Sequence, residues 1–169
     1  GRQRPEAGEA AARRRWEEYL PEVGDYDEVR NDPGRDATSR MSVHLKYGEI
    51  HPRTMLADLA SLRSAGAATY RKELAWREFY ADVLHANPAT AREYLRPEYA
   101  RMPYDEPGAQ LEAWKRGRTG FPVVDAGMRQ LRATGWMHNR VRMIVASFLV
   151  KDLHLEWQHG ARHFMHWLV

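Results

Sequence analysis

Residues 118–153 read RTGFPVVDAGMRQLRATGWMHNRVRMIVASFLVKDL, and the spacing of their apolar positions decides the fold class. Val124, Gly127, Met128 and Leu131 recur at i, i+3, i+4 and i+7, which gives a helix with one apolar side. Pro122 suits the first turn of that helix, where a missing N–H costs nothing. Asp125 and Arg129 are spaced as an i, i+4 pair on its exposed side. Thr134-Gly135 ends it, because glycine most cheaply adopts a left-handed cap. A second helix is expected from His138 to about Leu153, with Val141, Ile144, Val145 and Phe148 as its apolar stripe. Asn139, Arg142, Met143 and Ala146 project from the other side. A polar face is usually only solvated, but a thioether and a small residue are unusual filling for an exposed face. The pattern suggests the wall of a cleft.

Working outward, the same 3.6-residue spacing predicts helices over residues 6–20, 38–47, 52–64, 67–85, 109–116 and 161–168. Residues 24–37, which include Pro33-Gly34, read as irregular, and the Pro/Tyr-rich span 96–108 reads as loop. No segment alternates convincingly with period two, and no repeat or low-complexity run is present. The expected class is all-α, with residues 1–24 as a connector helix and linker and residues 25–169 as one helical domain.

Composition narrows the function. The 169 residues suffice for a core. The absence of cysteine removes thiolate chemistry and zinc–thiolate sites. The longest apolar run, Met143 to Val150, is too short to span a bilayer, and the polar N-terminus is unlike a signal peptide, so no membrane partner and a cytoplasmic location are expected. A net charge of +3 permits nucleic-acid binding without demanding it. The six Trp and eight Tyr offer platforms for flat rings as well as core filler.

Three clusters stand out. Thr38, Ser39 and Ser42, with Arg40, crowd a helix start, where hydroxyls and free N–H groups make either an ordinary cap or an anion site. Glu73, Trp76, Arg77 and Tyr80 share one helix face. Glu73 and Arg77 alone would be an ordinary surface ion pair. Trp76 between them suggests instead that an indole stacks on a base while the charged groups bind its edge. His159, His163 and His166 also share a face, but no carboxylate-rich or HExxH-like pattern accompanies them. They read as surface or packing histidines, and no metal is expected.

These segments together resemble the flavin-binding helical domain of the DNA photolyase/cryptochrome family, most closely its class I cyclobutane-pyrimidine-dimer branch. The resemblance rests on Tyr26 before TSRMSVHLKYGEI (38–50), ELAWREFY (73–80), AWKRGRTGFPVVDAGMRQL (113–131) and TGWMHNRVRMIVASFLVKDL (134–153), which occur in family order. It implies FAD as cofactor, held by Tyr26, Thr38, Ser39, Arg40, Met41 and Ser42, with Tyr70 packed nearby. Asn139 would face the flavin N5 region, and Arg142 would lie beside the ring. Glu73, Trp76, Asn139 and Met143 would surround a flipped pyrimidine dimer. Tyr80 and Trp136 would join that surface, with Arg30, Arg77 and Arg140 nearer the DNA backbone. Trp157 matches the middle member of the family's aromatic electron-transfer chain. Tyr104 falls near the outer member, usually Trp, and Trp114 is the nearest alternative.

The reaction so implied is light-driven electron transfer from FAD that splits dimers in damaged DNA, by a monomeric enzyme. Asn139 and Met143 stand where relatives that repair (6-4) lesions carry histidines. The alternatives are a cryptochrome-like blue-light photoreceptor and a helical DNA-binding module without flavin chemistry. The resemblance further implies an antenna chromophore, of folate or deazaflavin type, in an α/β domain before this chain, and a flavin loop and Trp-rich segment after Val169. By itself, the 169-residue polypeptide is therefore expected to bind FAD weakly or not at all and to repair nothing.

Overall fold

Helices occupy most of the chain, and among the described residues no strand occurs. The structure is a computed structural model that describes residues 5–169. The elements are α1 (Glu9–Tyr19), α2 (Tyr26–Val29), α3 (Ser42–Lys46), α4 (Pro52–Leu59), α5 (Ala65–Ala86), α6 (Ala109–Arg116), α7 (Pro122–Thr134), α8 (Asn139–Ser147) and α9 (Trp157–Trp167). Short 3-10 turns cover Leu20–Asp25, Pro88–Ala91 and Pro97–Arg101. The chain divides into two compact units, Pro5–Pro88 and Ala89–Val169, each with its own core.

In the first unit α1 contributes Trp16 and Tyr19 to a core with Met41, Met55, Leu59, Tyr70 and Leu74. The indole N–H of Trp16 donates to Asp58 Oδ2 at 2.8 Å, so its polar edge is satisfied inside the core. Residues 24–37 are more ordered than their composition predicts. The turn Leu20–Asp25 runs into α2, where the Tyr26 ring meets the Tyr70 ring edge-on at 4.9 Å. That contact is tertiary and leaves no periodic mark in the sequence.

The helix expected over residues 38–47 is shorter, since α3 begins only at Ser42. Arg40 has φ 56°, outside the right-handed helical region, and its guanidinium pairs with Asp36 at 2.9 Å. Ser39 Oγ accepts from the Met41 amide at 3.3 Å, the local side-chain bond that competes with a helix. Helix α4 likewise stops at Leu59 rather than Ser64. Arg71 takes the carbonyls of Leu59 and Leu62 at 2.7 and 3.2 Å, and Ser64 becomes the N-cap of α5, accepting from Ala67 N.

In the second unit α6 and α7 have the expected bounds, and Gly135 closes α7 in the left-handed conformation at φ 74°. Trp114 is fully buried and donates to the Val145 carbonyl at 2.9 Å, which ties α6 to α8. At Gly127 a Cβ would lie 2.3 Å from Val141 Cγ1, so only glycine allows α7 and α8 this close.

Two expectations for this unit need correction. Asp125 and Arg129 do not form an exposed pair. Asp125 is buried and accepts from Thr119 N, Thr119 Oγ1 and Gly120 N at 2.7, 2.7 and 3.0 Å, while Arg129 donates to Gly117 O at 2.7 Å. Both side chains grip the turn that enters the helix. The second correction concerns α8, which does not continue regularly to Leu153. It passes at Phe148–Asp152 into a π-helical turn. Ile144, assigned to the buried stripe, is 41% exposed on the flank, because Val141, Val145 and Phe148 already fill the interface.

Candidate functional site

The first unit contains a cavity of about 580 Å³, in the range of cavities that take cofactors. Its lining joins α2, the 38–41 segment, α3 and α5. It brings together Tyr26, Thr38, Ser39, Met41, Ser42, Tyr70, Glu73 and Arg77 from the sequence expectations. It also adds Lys46, which those expectations omitted. Lys46 follows Ser42 by four residues, so helical spacing could have placed it on the same face.

The polar groups of this cavity are pre-oriented. Ser39 is buried and shares a 2.7 Å hydrogen bond with the Tyr70 hydroxyl, and Arg15 Nε donates to the Ser39 carbonyl at 2.9 Å. Burial pushes the Tyr70 phenol far up, so it stays neutral at any physiological pH. Tyr26 is raised as well, first by burial; Glu73 adds to this and Arg30 opposes it. Arg40 is not among the lining residues, since its side chain turns to Asp36. Of the three aliphatic hydroxyls, Thr38 and Ser39 thus reach the cavity from an irregular segment, and Ser42 stands on a helix.

Glu73 does not pair with Arg77. Its Oε1 accepts from Arg30 Nη1 at 2.6 Å, and the Arg30 guanidinium lies over the Tyr26 ring at 5.3 Å. Arg77 instead donates to the Leu45 carbonyl at 3.2 Å and pairs with Glu78. The Arg30–Glu73 bond spans 43 residues of sequence, which is why helical spacing alone misassigned it. Beyond Glu73, Trp76 and Tyr80 are 51% and 65% exposed and stack at 5.9 Å, and Phe79, which the expectations omitted, meets both edges.

In the second unit α8 presents Asn139, Arg140 and Met143 to solvent, and Asn139 Nδ2 lies 3.8 Å from Met143 Sδ. Arg142 is half-buried. One terminal nitrogen donates to the Met137 carbonyl at 3.2 Å, while its Nε has no partner among the described residues. Burial lowers its pKa from the ordinary guanidinium value. A partly desolvated guanidinium with an unmet donor fits a site that takes a polar or anionic group. Trp136 is half-buried and meets the His138 ring edge-on.

Trp157 begins α9 and meets the Tyr94 ring edge-on at 6.1 Å, while Tyr104 stacks on Tyr94 at 6.2 Å. Trp114, the alternative outer aromatic, is a packing residue in the interior. Of the three histidines, His163 is wedged between Trp114 and Trp167, His159 meets Arg162 at 3.1 Å, and His166 lies edge-on to Trp167. Among the described residues no group of three His, Cys, Asp or Glu could hold a metal ion. No helix among them is long and apolar enough to cross a membrane.

Residues 70–169 match the family described as FAD binding domain of DNA photolyase. Curated relatives include the deoxyribodipyrimidine photo-lyases of Halobacterium salinarum, 44% identical over 92% of this chain and 34% of the relative, and of Escherichia coli, 44% identical over 87% and 32%. The chain thus spans about a third of the length of these relatives. Among solved structures it is similar to a bacterial class III photolyase from Agrobacterium tumefaciens, with TM-score 0.92 and 38% identity over 95% of this chain and 34% of that one. It is also similar to a Synechocystis cryptochrome, with TM-score 0.90 and 32% identity over 96% and 36%. The all-α architecture, the hydroxyl-lined cavity and the matched segments lead to one conclusion: this chain belongs to the FAD-binding domain family of the DNA photolyases.

Proposed function

We propose that this chain is the flavin-binding part of a light-dependent DNA repair enzyme that splits cyclobutane pyrimidine dimers. The observation that carries the proposal is the cavity of the first unit. Its hydroxyls and Lys46 amine, as donors, and the Arg30-held carboxylate of Glu73, as acceptor, are the polar groups a dinucleotide and a base edge require. In this reading Thr38, Ser39, Ser42 and Lys46 bind the FAD phosphates, with Tyr26, Met41 and Tyr70 packed against the cofactor and Arg40 bracing the segment. Asn139 and Arg142 serve the ring end.

Reduced FAD, when bound, supplies a light-driven electron that opens the cyclobutane ring and is then returned. The chain's own residues bind and orient. Glu73, fixed by Arg30, accepts hydrogen bonds from the lesion and is pre-organised for that role before the lesion arrives. Trp76, with Tyr80 alongside, stacks on the extruded bases, Met143 and Asn139 shape the dimer site, and Trp136, Arg77 and Arg140 contact the surrounding DNA. We place residues 1–24 as the connector and 25–169 as the domain, and take the enzyme to be a cytoplasmic monomer.

The test is light-dependent loss of thymine dimers from irradiated DNA by a longer protein that contains this chain. Bound FAD with dimers unchanged after illumination would favour a cryptochrome-type photoreceptor, the second reading, which the likeness to the Synechocystis cryptochrome supports. A longer protein without flavin would leave a helical DNA-binding module.

A further inference from the structure

The aromatic chain that includes Trp157 does not run directly to Tyr104. Tyr94 lies between them and touches both, edge-on to Trp157 at 6.1 Å and stacked on Tyr104 at 6.2 Å with 20° between the rings. The phenol of Tyr94 donates to Glu156 Oε1 at 3.3 Å, a long hydrogen bond to a carboxylate. The Tyr104 hydroxyl points instead to the thioether of Met102 at 3.7 Å, which is no base.

The local fold positions this set. Glu156 is the N-cap of α9 and Trp157 its first residue, so one backbone turn places both the ring and the carboxylate. Gln158 Nε2 reaches the Arg92 carbonyl at 3.5 Å, and the Asp105 amide donates to the His154 carbonyl at 3.0 Å. These bonds tie the segments that carry Tyr94 and Tyr104 to the region around α9.

We propose that Tyr94 is the electron donor to oxidised Trp157, and that Glu156 takes the phenolic proton in the same event. The inference rests on the flavoprotein reading for its physiological oxidant, a light-excited oxidised flavin that would take an electron from the chain. The balance is simple. The Trp157 indole radical cation gains one electron and becomes neutral indole. Tyr94 loses that electron and its hydroxyl proton and becomes a neutral phenoxyl radical. Glu156 carboxylate gains the proton.

Chemistry requires the coupling, because an oxidised phenol is a strong acid and a phenol that cannot lose its proton is a poor donor. Burial, the neighbouring Tyr104 and Glu156 push the Tyr94 phenol well above its ordinary value, so it begins protonated. Proton loss also slows the return of the electron, since the charge-separated state can collapse only when the proton comes back. The stacked Tyr104 extends the path outward, but its hydroxyl meets a thioether rather than a carboxylate.

The absence of cysteine allows a test that needs no flavin. An Ala161→Cys variant carries a ruthenium photosensitiser beside Trp157, since both residues line a small apolar pocket against α9. After a flash with an external electron acceptor, radicals are followed by transient absorption and electron paramagnetic resonance. The expected result is a phenoxyl signal that grows as the indole radical decays, more slowly in D₂O. Tyr94→Phe, which keeps the ring, should abolish this signal and leave the indole radical. Tyr104→Phe should leave the signal in place. Glu156→Gln should slow its formation by at least about tenfold.

A phenoxyl signal that survives Tyr94→Phe, or one lost in Tyr104→Phe, would overturn the assignment of the donor. An unchanged rate in Glu156→Gln, with no solvent isotope effect, would overturn that of the proton acceptor. Failure of the longer protein to bind flavin would touch only the flavoprotein reading, because here the label supplies the oxidant.

Discussion

Single side chains carry two of the testable consequences. Tyr70→Phe removes the hydroxyl that meets Ser39 at 2.7 Å inside the first unit, and leaves a buried hydroxyl with one partner fewer. It should cost about 1 kcal/mol of stability, measured by thermal or urea unfolding, and Ser39→Ala should add little to it. His163 has the opposite character. Burial, reinforced by the nearby cations, lowers its pKa to about 4. The folded chain therefore excludes a proton that the unfolded chain accepts below about pH 6.5. Stability should fall as pH drops from about 6.5 to 4, by about 3 kcal/mol, and then level off for this group. His163→Phe should flatten that part of the profile relative to the parent chain; an unchanged slope would show that other groups cause it. Neither residue was assigned its actual partners from sequence. Spacing places Ser39 in a helix-start cluster, as a cap or an anion site, and His163 in a helical row, because the partners Tyr70 and Trp114 lie 31 and 49 positions away.

At the scale of elements, the junctions of α7 are the most sensitive. Gly127→Ala puts a methyl group where Val141 Cγ1 already sits, and should cost about 1–3 kcal/mol in denaturant unfolding. Adding Val141→Ala should recover part of that loss. At the other end, Asp125→Asn weakens the three bonds to Thr119 and Gly120 and should cost about 1–3 kcal/mol. Burial pushes the Asp125 carboxyl up, but these three bonds outweigh it and hold the pKa below the ordinary carboxylate value. Its contribution is therefore present above about pH 3.9 and lost as pH falls through the lowered value, a slope the variant should not show. The helices themselves were legible wherever apolar spacing and a stop signal coincide, as in α6 and α7. They were misjudged where a polar residue had two possible uses: Ser64 caps α5 rather than extending α4, and Ser39 folds back on Met41 rather than opening α3.

For the whole molecule, the prediction concerns how the cofactor is held. Flavin taken up by a protein containing this chain should be held less tightly in Arg142→Ala, because the unmet Nε donor fits a polar or anionic group of the cofactor; unchanged flavin retention would refute this. Periodicity and composition were enough for the all-α class, since an amphipathic helix writes its buried face into neighbouring residues. The family was legible too, because its segments are local strings. The cavity, the Arg30–Glu73 bond and the Tyr94–Trp157 contact were not. Each joins residues that are 43 or more positions apart or on different elements. Local spacing encodes which face a helix buries, but the choice of partner across the core is made only when the elements pack.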